Sequence, residues 1–64
     1  MTVFILLGEY DSHNNSSYSI LAVKDSEEEC QDIASRIDRN QDGWDGFVIE
    51  EWNTEIGKVN EKSV

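Results

Sequence analysis

Hydrophobic and polar residues alternate in short groups along the chain, and the first group has the pattern of a β-strand. Residues 2–7 form a continuous run of β-branched and large apolar side chains. An apolar load on both faces predicts a strand that lies centrally in a sheet or is covered by a partner. Alternate positions define its two faces: Val3, Ile5 and Leu7 on one, and Phe4, Leu6 and Tyr10 on the other.

A polar segment separates this group from the next. Residues 11–17 are seven consecutive turn-forming side chains, which predict a loop. Residues 18–23 return to an apolar, β-branched pattern, so the two strands are expected to form an antiparallel hairpin. Strict alternation divides the second strand into two sets: Tyr18, Ile20 and Ala22, and Ser19, Leu21 and Val23.

A helix is predicted from Glu27 to Arg39. Ser26 and Glu29 have the spacing of a capping box, in which each side chain accepts from the other's backbone N–H. An apolar stripe follows at helical spacing, and Asp32 and Arg36 are four residues apart, as in a helical ion pair. The stripe consists of Cys30, Ile33, Ala34 and Ile37.

The last predicted strand runs from Phe47 to Asn53, where apolar and acidic residues alternate. The order of elements predicts an α+β fold: a ββαβ, three-stranded, mainly antiparallel sheet with one helix packed on one face. Residues 1–57 form a single domain in this interpretation, and residues 58–64 a flexible tail. Since one helix covers one face, apolar residues are expected on the open face, and a homodimer would cover them. The candidates are Phe4, Leu6, Tyr10 and Trp52.

Composition narrows the possible partners. The 64 residues include 14 acidic and 5 basic side chains, which give a net charge of −9. Such a chain is repelled by nucleic acids and anionic lipids and attracted to basic surfaces. No apolar run is long enough to cross a membrane, and the start has no basic region of the signal-peptide type. One cysteine cannot form an internal disulfide, which is typical of a protein in a reducing compartment or of one indifferent to its compartment, and we expect a cytoplasmic protein.

The residues after the helix suggest an alternative function as a calcium-binding or calcium-structured module. Asp38, Asn40 and Asp42, followed by Gly43, match the first half of a calcium-binding loop. The twelfth position of the loop, which normally holds a bidentate Glu, is Ile49. A polar turn at the end of the helix explains the same residues without a metal.

Catalytic chemistry is not indicated by the sequence. His13 lies in a polar loop without a nearby second metal ligand, and Cys30 lies on the apolar stripe, where a small core residue fits best. The serines lack the context of an activated nucleophile. We therefore expect neither an enzyme nor a cofactor.

The acidic residues suggest a binding surface instead. Carboxylates on strands and on successive helix turns have separations similar to those of nucleic-acid phosphates, and exposed aromatic residues anchor interfaces. A solvated face that maintains solubility is the plainer explanation. The candidate partner-binding residues are Glu27, Glu28, Asp32, Asp42, Trp44, Asp45, Glu50, Glu51 and Trp52.

Four segments carry a resemblance to known proteins: Val3–Tyr10, Ile20–Val23, Asp25–Glu29 and Asp45–Trp52. Over residues 3–53 the chain resembles a group of short phage and bacterial proteins of unknown function, which supply no catalytic residues. In size and acidity it is also similar to phage-encoded inhibitors of the anti-CRISPR or DNA-mimic type. The resemblance implies a protein that binds and inhibits a basic, nucleic-acid-handling protein in the host cytoplasm. A structural adaptor that uses the open apolar sheet face is a further alternative.

Overall fold

The computed structural model describes residues 1–12, 15–37 and 43–64. Four strands and one helix follow one another in the order β-β-α-β-β, which confirms the α+β class. Their bounds are β1 Thr2–Ser12, β2 Asn15–Lys24, α1 Glu27–Arg36, β3 Gly46–Asn53 and β4 Gly57–Ser63.

The strands form one antiparallel sheet in the order β2-β1-β3-β4. Strand β1 is central, and Leu6 in its middle lies opposite Ala22 of β2 and Ile49 of β3. The side of β1 that faces α1 is buried in the core, whereas the apolar residues on its other side lie on a face that α1 does not cover. The predicted β1–β2 hairpin is confirmed, but the loop predicted over residues 11–17 is wrong in its bounds, because residues 11–12 and 15–17 belong to the paired strands.

The prediction of three strands is wrong, because residues expected to form a flexible tail belong to β4. A turn returns the chain to the sheet edge: the carboxamide oxygen of Asn53 accepts from the Glu55 N–H at 2.8 Å, and Gly57 has a φ of 100°. Strand β4 pairs with β3 alone. An edge strand can be polar, since solvent covers its outer side and charged residues discourage further pairing.

Helix α1 begins where the sequence predicts. The Glu29 N–H donates to the Ser26 hydroxyl oxygen at 3.3 Å, which is one half of the expected capping box. The helix ends at Arg36, earlier than the predicted end at residue 39, because Ile37 has an extended backbone and packs its side chain against the core. Residues 38–42 lie outside the described part of the chain.

The core lies between α1 and the sheet, and the predicted apolar stripe of α1 is confirmed. Phe4 and Leu6 face the helix, and Tyr10 lies on the same side of β1, so the expectation that these three residues lie on the open face is wrong. The physical reason is their register, which places the even positions of β1 beside the core residue Ile49 of β3. The buried cluster comprises Leu6, Cys30, Ala34, Phe47 and Ile49.

A β-bulge changes the alternation in β2. Leu6 pairs with Ala22 whereas Leu7 pairs with Ile20, so Leu21 is an extra residue in the ladder. Leu21 and Ala22 therefore both pack against the core. The predicted division of this strand by strict alternation is wrong beyond Ile20, and Val23 lies on the same face as Ile20.

Candidate partner-binding surface

The side of the sheet opposite α1, here called the open face, carries apolar side chains from β1, β2 and β3. Pairing across the sheet defines its members, since directly opposed residues share a face. Strand by strand they are Val3, Ile5, Leu7 and Glu9 of β1, Tyr18, Ile20 and Val23 of β2, Val48, Glu50 and Trp52 of β3, and Lys58, Glu61 and Ser63 of β4.

Among the apolar residues of the open face, those of β2 are the most exposed. Ile20 has 65% of its surface accessible to solvent, and Tyr18 and Val23 have 55% each. Ile5 is next to them and only partly buried. Grouped apolar residues at a protein surface are typical of interaction sites, because single exposed residues are common but contiguous patches are not.

Near the centre of the open face is a depression of about 380 Å³. Leu7 and Val48 are buried residues that contribute apolar lining, and Tyr18 stands on one side. Three charged residues complete the lining: Glu50, Lys58 and Glu61. The depression therefore combines an apolar part with a charged part.

Lys58 joins the two acidic residues of the depression. Its ammonium group lies 3.3 Å from Glu50 Oε2 and 2.6 Å from Glu61 Oε1. Hydrogen bonds to Glu61 and then Glu50 raise the pKa of Lys58, because they stabilise its charged form. Glu50 also accepts from Trp52 Nε1 at 3.0 Å, so two donors fix its carboxylate.

The acidic residues predicted to form a partner-binding surface do not share one face. Glu50 lies on the open face, whereas its neighbour Glu51 points to the side of α1 and lies opposite Phe4. Asp45 directly precedes β3, and Asp42 lies outside the described residues. The three helical acids Glu27, Glu28 and Asp32 are on α1.

Two of the helical acids already have cationic neighbours. Glu27 Oε1 lies 2.9 Å from Lys62 Nζ, and Asp32 Oδ2 lies 2.9 Å from Arg36 Nη2, as the sequence predicted for the second pair. A partner that bound these carboxylates would compete with both ion pairs. Ion pairing alone does not distinguish α1 from the open face, because Lys58 engages Glu50 and Glu61 in the same way.

The two tryptophans have different environments. Trp44 packs against the core on the side of α1, with its ring over Gly8, so the expectation that it is an exposed anchor is wrong. Gly8 has no side chain, and this gap in β1 allows the indole to lie close to the backbone. Trp52 is also partly buried and lies on the open face, where the sequence placed it; its role as an anchor stays a prediction.

Cys30 is a core residue, as the apolar stripe predicts. Its thiol donates to the Phe4 carbonyl oxygen at 3.6 Å, and burial, reinforced by Glu29, raises its pKa. Among the described residues, no group of three or more His, Cys, Asp and Glu side chains could hold a metal. The predicted calcium ligands Asp38, Asn40 and Asp42, and also His13, lie outside those residues.

Sequence reasoning missed the part of the surface that β4 supplies. The sequence predicts a tail for Lys58 and Glu61, which does not anticipate the ion pair of Lys58 with Glu50 of β3 or the pairing of Glu61 with Lys58. A usable signal was present in Asn53–Gly57, because an Asn and a Gly at this spacing favour a tight turn between two strands.

The fold and this surface define a class of small α+β protein, in which one helix covers one side of a four-stranded antiparallel sheet and leaves the other side open. The chain belongs to the family described as domain of unknown function DUF7336, which it matches over residues 1–62. Neither the curated proteins nor the solved structures give a significant match. The family match carries no link to phage proteins or anti-CRISPR inhibitors, so that resemblance stays a prediction.

The described part of the chain contains no helix with the length and apolar character needed to cross a membrane.

Proposed function

We propose that this protein is a small acidic binding module whose open face docks on a basic partner protein. The observation that supports this most is the grouping of exposed apolar side chains, Tyr18, Ile20 and Val23, beside the charged depression. Interfaces combine an apolar centre with a polar rim in this way. In this proposal the protein acts by occupying its partner's surface, without a catalytic step or cofactor.

The charge of the chain favours a basic partner. Its net charge of −9 creates a long-range attraction that accelerates encounter with a positively charged surface. On the open face itself, Glu9, Glu50 and Glu61 outnumber Lys58. The net charge of the chain and the charges on its open face therefore both favour a basic partner.

A nucleic-acid-handling protein of the host cytoplasm fits this description, because such proteins present basic surfaces. The exposed apolar residues of β2 favour contact through the open face over imitation of phosphates by the helix, whose side chains include no exposed large apolar residue among those described. Ion pairs with Lys62 and Arg36 already engage Glu27 and Asp32. The acidic residues of α1 thus contribute to the long-range electrostatic attraction, and the apolar residues of β2 make the direct contact with the partner.

Capture of proteins from a bacterial lysate tests the proposal when two variants are compared. Ile20→Ser removes an exposed apolar side chain of the open face, and Ile56→Ser makes the same change in the β3–β4 turn, where Ile56 is 74% exposed. We expect a basic protein to be captured by the wild type and by Ile56→Ser, in smaller amounts by Ile20→Ser, and less at raised salt. Equal capture by the two variants, or capture insensitive to salt, contradicts the proposal.

A further inference from the structure

We infer that the depression on the open face binds a cationic side chain of the partner, specifically an arginine. This inference rests on the proposed function and names the chemistry that its surface recognises. The depression has an apolar lining from Leu7 and Val48, an aromatic side chain in Tyr18 and two carboxylates in Glu50 and Glu61. An arginine combines an aliphatic stem with a cationic head and so matches both parts.

The position of Lys58 shows how the carboxylates accommodate a cation. A single ammonium nitrogen is within 3.3 Å of Glu50 and 2.6 Å of Glu61, although these residues lie on different strands. The carboxylates therefore converge on one point in the depression. Because Glu50 is also held by Trp52 Nε1, its orientation does not depend on Lys58 alone.

Arginine fits this arrangement better than a second lysine would. The guanidinium group has five N–H donors in a planar fork, which allows it to contact two carboxylates at once. It also stacks on aromatic rings more readily than an ammonium group, and Tyr18 lines the same depression. An arginine stem would cover the apolar surface of Leu7 and Val48.

Lys58 competes with the partner's arginine for the carboxylates of Glu50 and Glu61. Its side chain is 40% exposed and therefore able to move aside when a partner cation enters. One lysine cannot neutralise both Glu50 and Glu61, so the depression keeps a net negative charge. A second copy of this chain is a poorer occupant, because two chains of charge −9 repel each other.

The test is a titration of the intact protein with a blocked tetra-arginine peptide, monitored by NMR of the Leu, Val and Ile methyl groups. A tetra-citrulline peptide of similar shape serves as the neutral control. Two pairs of variants are compared. Within each pair the net charge is the same, but one variant changes the open face and the other changes the side of α1. Lys58→Gln is compared with Lys62→Gln, whose lysine pairs with Glu27 of α1, and Glu61→Gln is compared with Glu28→Gln of α1.

We expect the arginine peptide to shift the methyl signals of Leu7 and Val48 and the citrulline peptide to leave them unchanged. Lys58→Gln should tighten binding about threefold more than Lys62→Gln, and Glu61→Gln should weaken it about threefold more than Glu28→Gln, as for partly exposed charge pairs. The inference is overturned if both members of each variant pair bind the peptide equally well, or if the peptide shifts signals of α1 instead. It is also overturned if the methyl signals shift with protein concentration in the absence of peptide, because that result indicates self-association. Such results would leave lysate capture and its dependence on Ile20 intact, so this inference can fail separately from the proposed function.

Discussion

Trp44 lies directly over Gly8, so closely that a Cβ added to the glycine would be 2.7 Å from Trp44 Cε3. Real Cβ atoms do not approach other atoms this closely, so the indole can occupy this place only because residue 8 has no side chain. The contact closes one end of the core, where Trp44 packs against the buried cluster between α1 and the sheet.

Gly8→Ala is expected to lower the free energy of unfolding by about 1–3 kcal/mol, because the new methyl group displaces the Trp44 ring. Gly46→Ala is the matched control on the neighbouring strand, since its Cβ would meet Glu9 Oε2 at an ordinary 3.5 Å. This control should change stability by less than about 0.5 kcal/mol. Urea denaturation followed by tryptophan fluorescence measures both, and equal effects would show that Trp44 does not occupy this position.

Ser26→Ala is expected to destabilise the protein by about 1 kcal/mol, because the Glu29 N–H loses its acceptor at the start of α1. Ser35→Ala offers a control within the same helix. The Ser35 hydroxyl donates to the Asp32 carbonyl oxygen at an exposed position, and alanine is the better helix former, so stability should be unchanged or slightly higher. Thermal unfolding monitored by circular dichroism distinguishes the two; a smaller loss for Ser26→Ala than for Ser35→Ala would exclude the assigned N-cap.

The raised pKa of Cys30 predicts a pH dependence of stability. Burial disfavours the thiolate in the folded protein, whereas the unfolded chain ionises its thiol at the usual pH. The contribution of Cys30 is therefore fully present below the unfolded pKa and is lost as the pH rises through the folded pKa. The difference in unfolding free energy between wild type and Cys30→Ala should thus shrink in alkaline solution. A difference that stays constant or grows with pH would contradict a buried, protonated thiol.

Local patterns were sufficient to predict much of the fold, but they could not identify which side of the sheet was covered. Both faces of β1 are apolar, so the sequence does not show whether Phe4 or Ile5 faces the helix. That depends on the long-range pairing of β1 with β3. The bulge at Leu21 also has no simple local signature, because a single extra residue leaves the composition of β2 unchanged. The helix was easier to predict, since its cap and its apolar stripe lie within α1 itself.

The candidate surface was predictable only in part. Trp52 and Glu50 were identified from charge and aromatic character, and they do lie together on the open face. Lys58 and Glu61 were missed because β4 is polar and acquires its strand structure from pairing with β3. The ion pair of Glu27 with Lys62 was not predictable either, because Lys62 belongs to β4 and reaches α1 only through the pairing of β4 with β3.

In the proposed function the open face contacts the partner, and the two tryptophans provide the most direct test of this contact. Trp44→Phe leaves Trp52 as the fluorescent reporter of the open face, and Trp52→Phe leaves Trp44 as the reporter of the side covered by α1. Each variant is titrated with the basic protein isolated by lysate capture, and acrylamide quenching of its tryptophan is measured. We predict that binding protects Trp52 from quenching and leaves Trp44 unaffected; protection of Trp44 with no change at Trp52 would contradict the proposed contact.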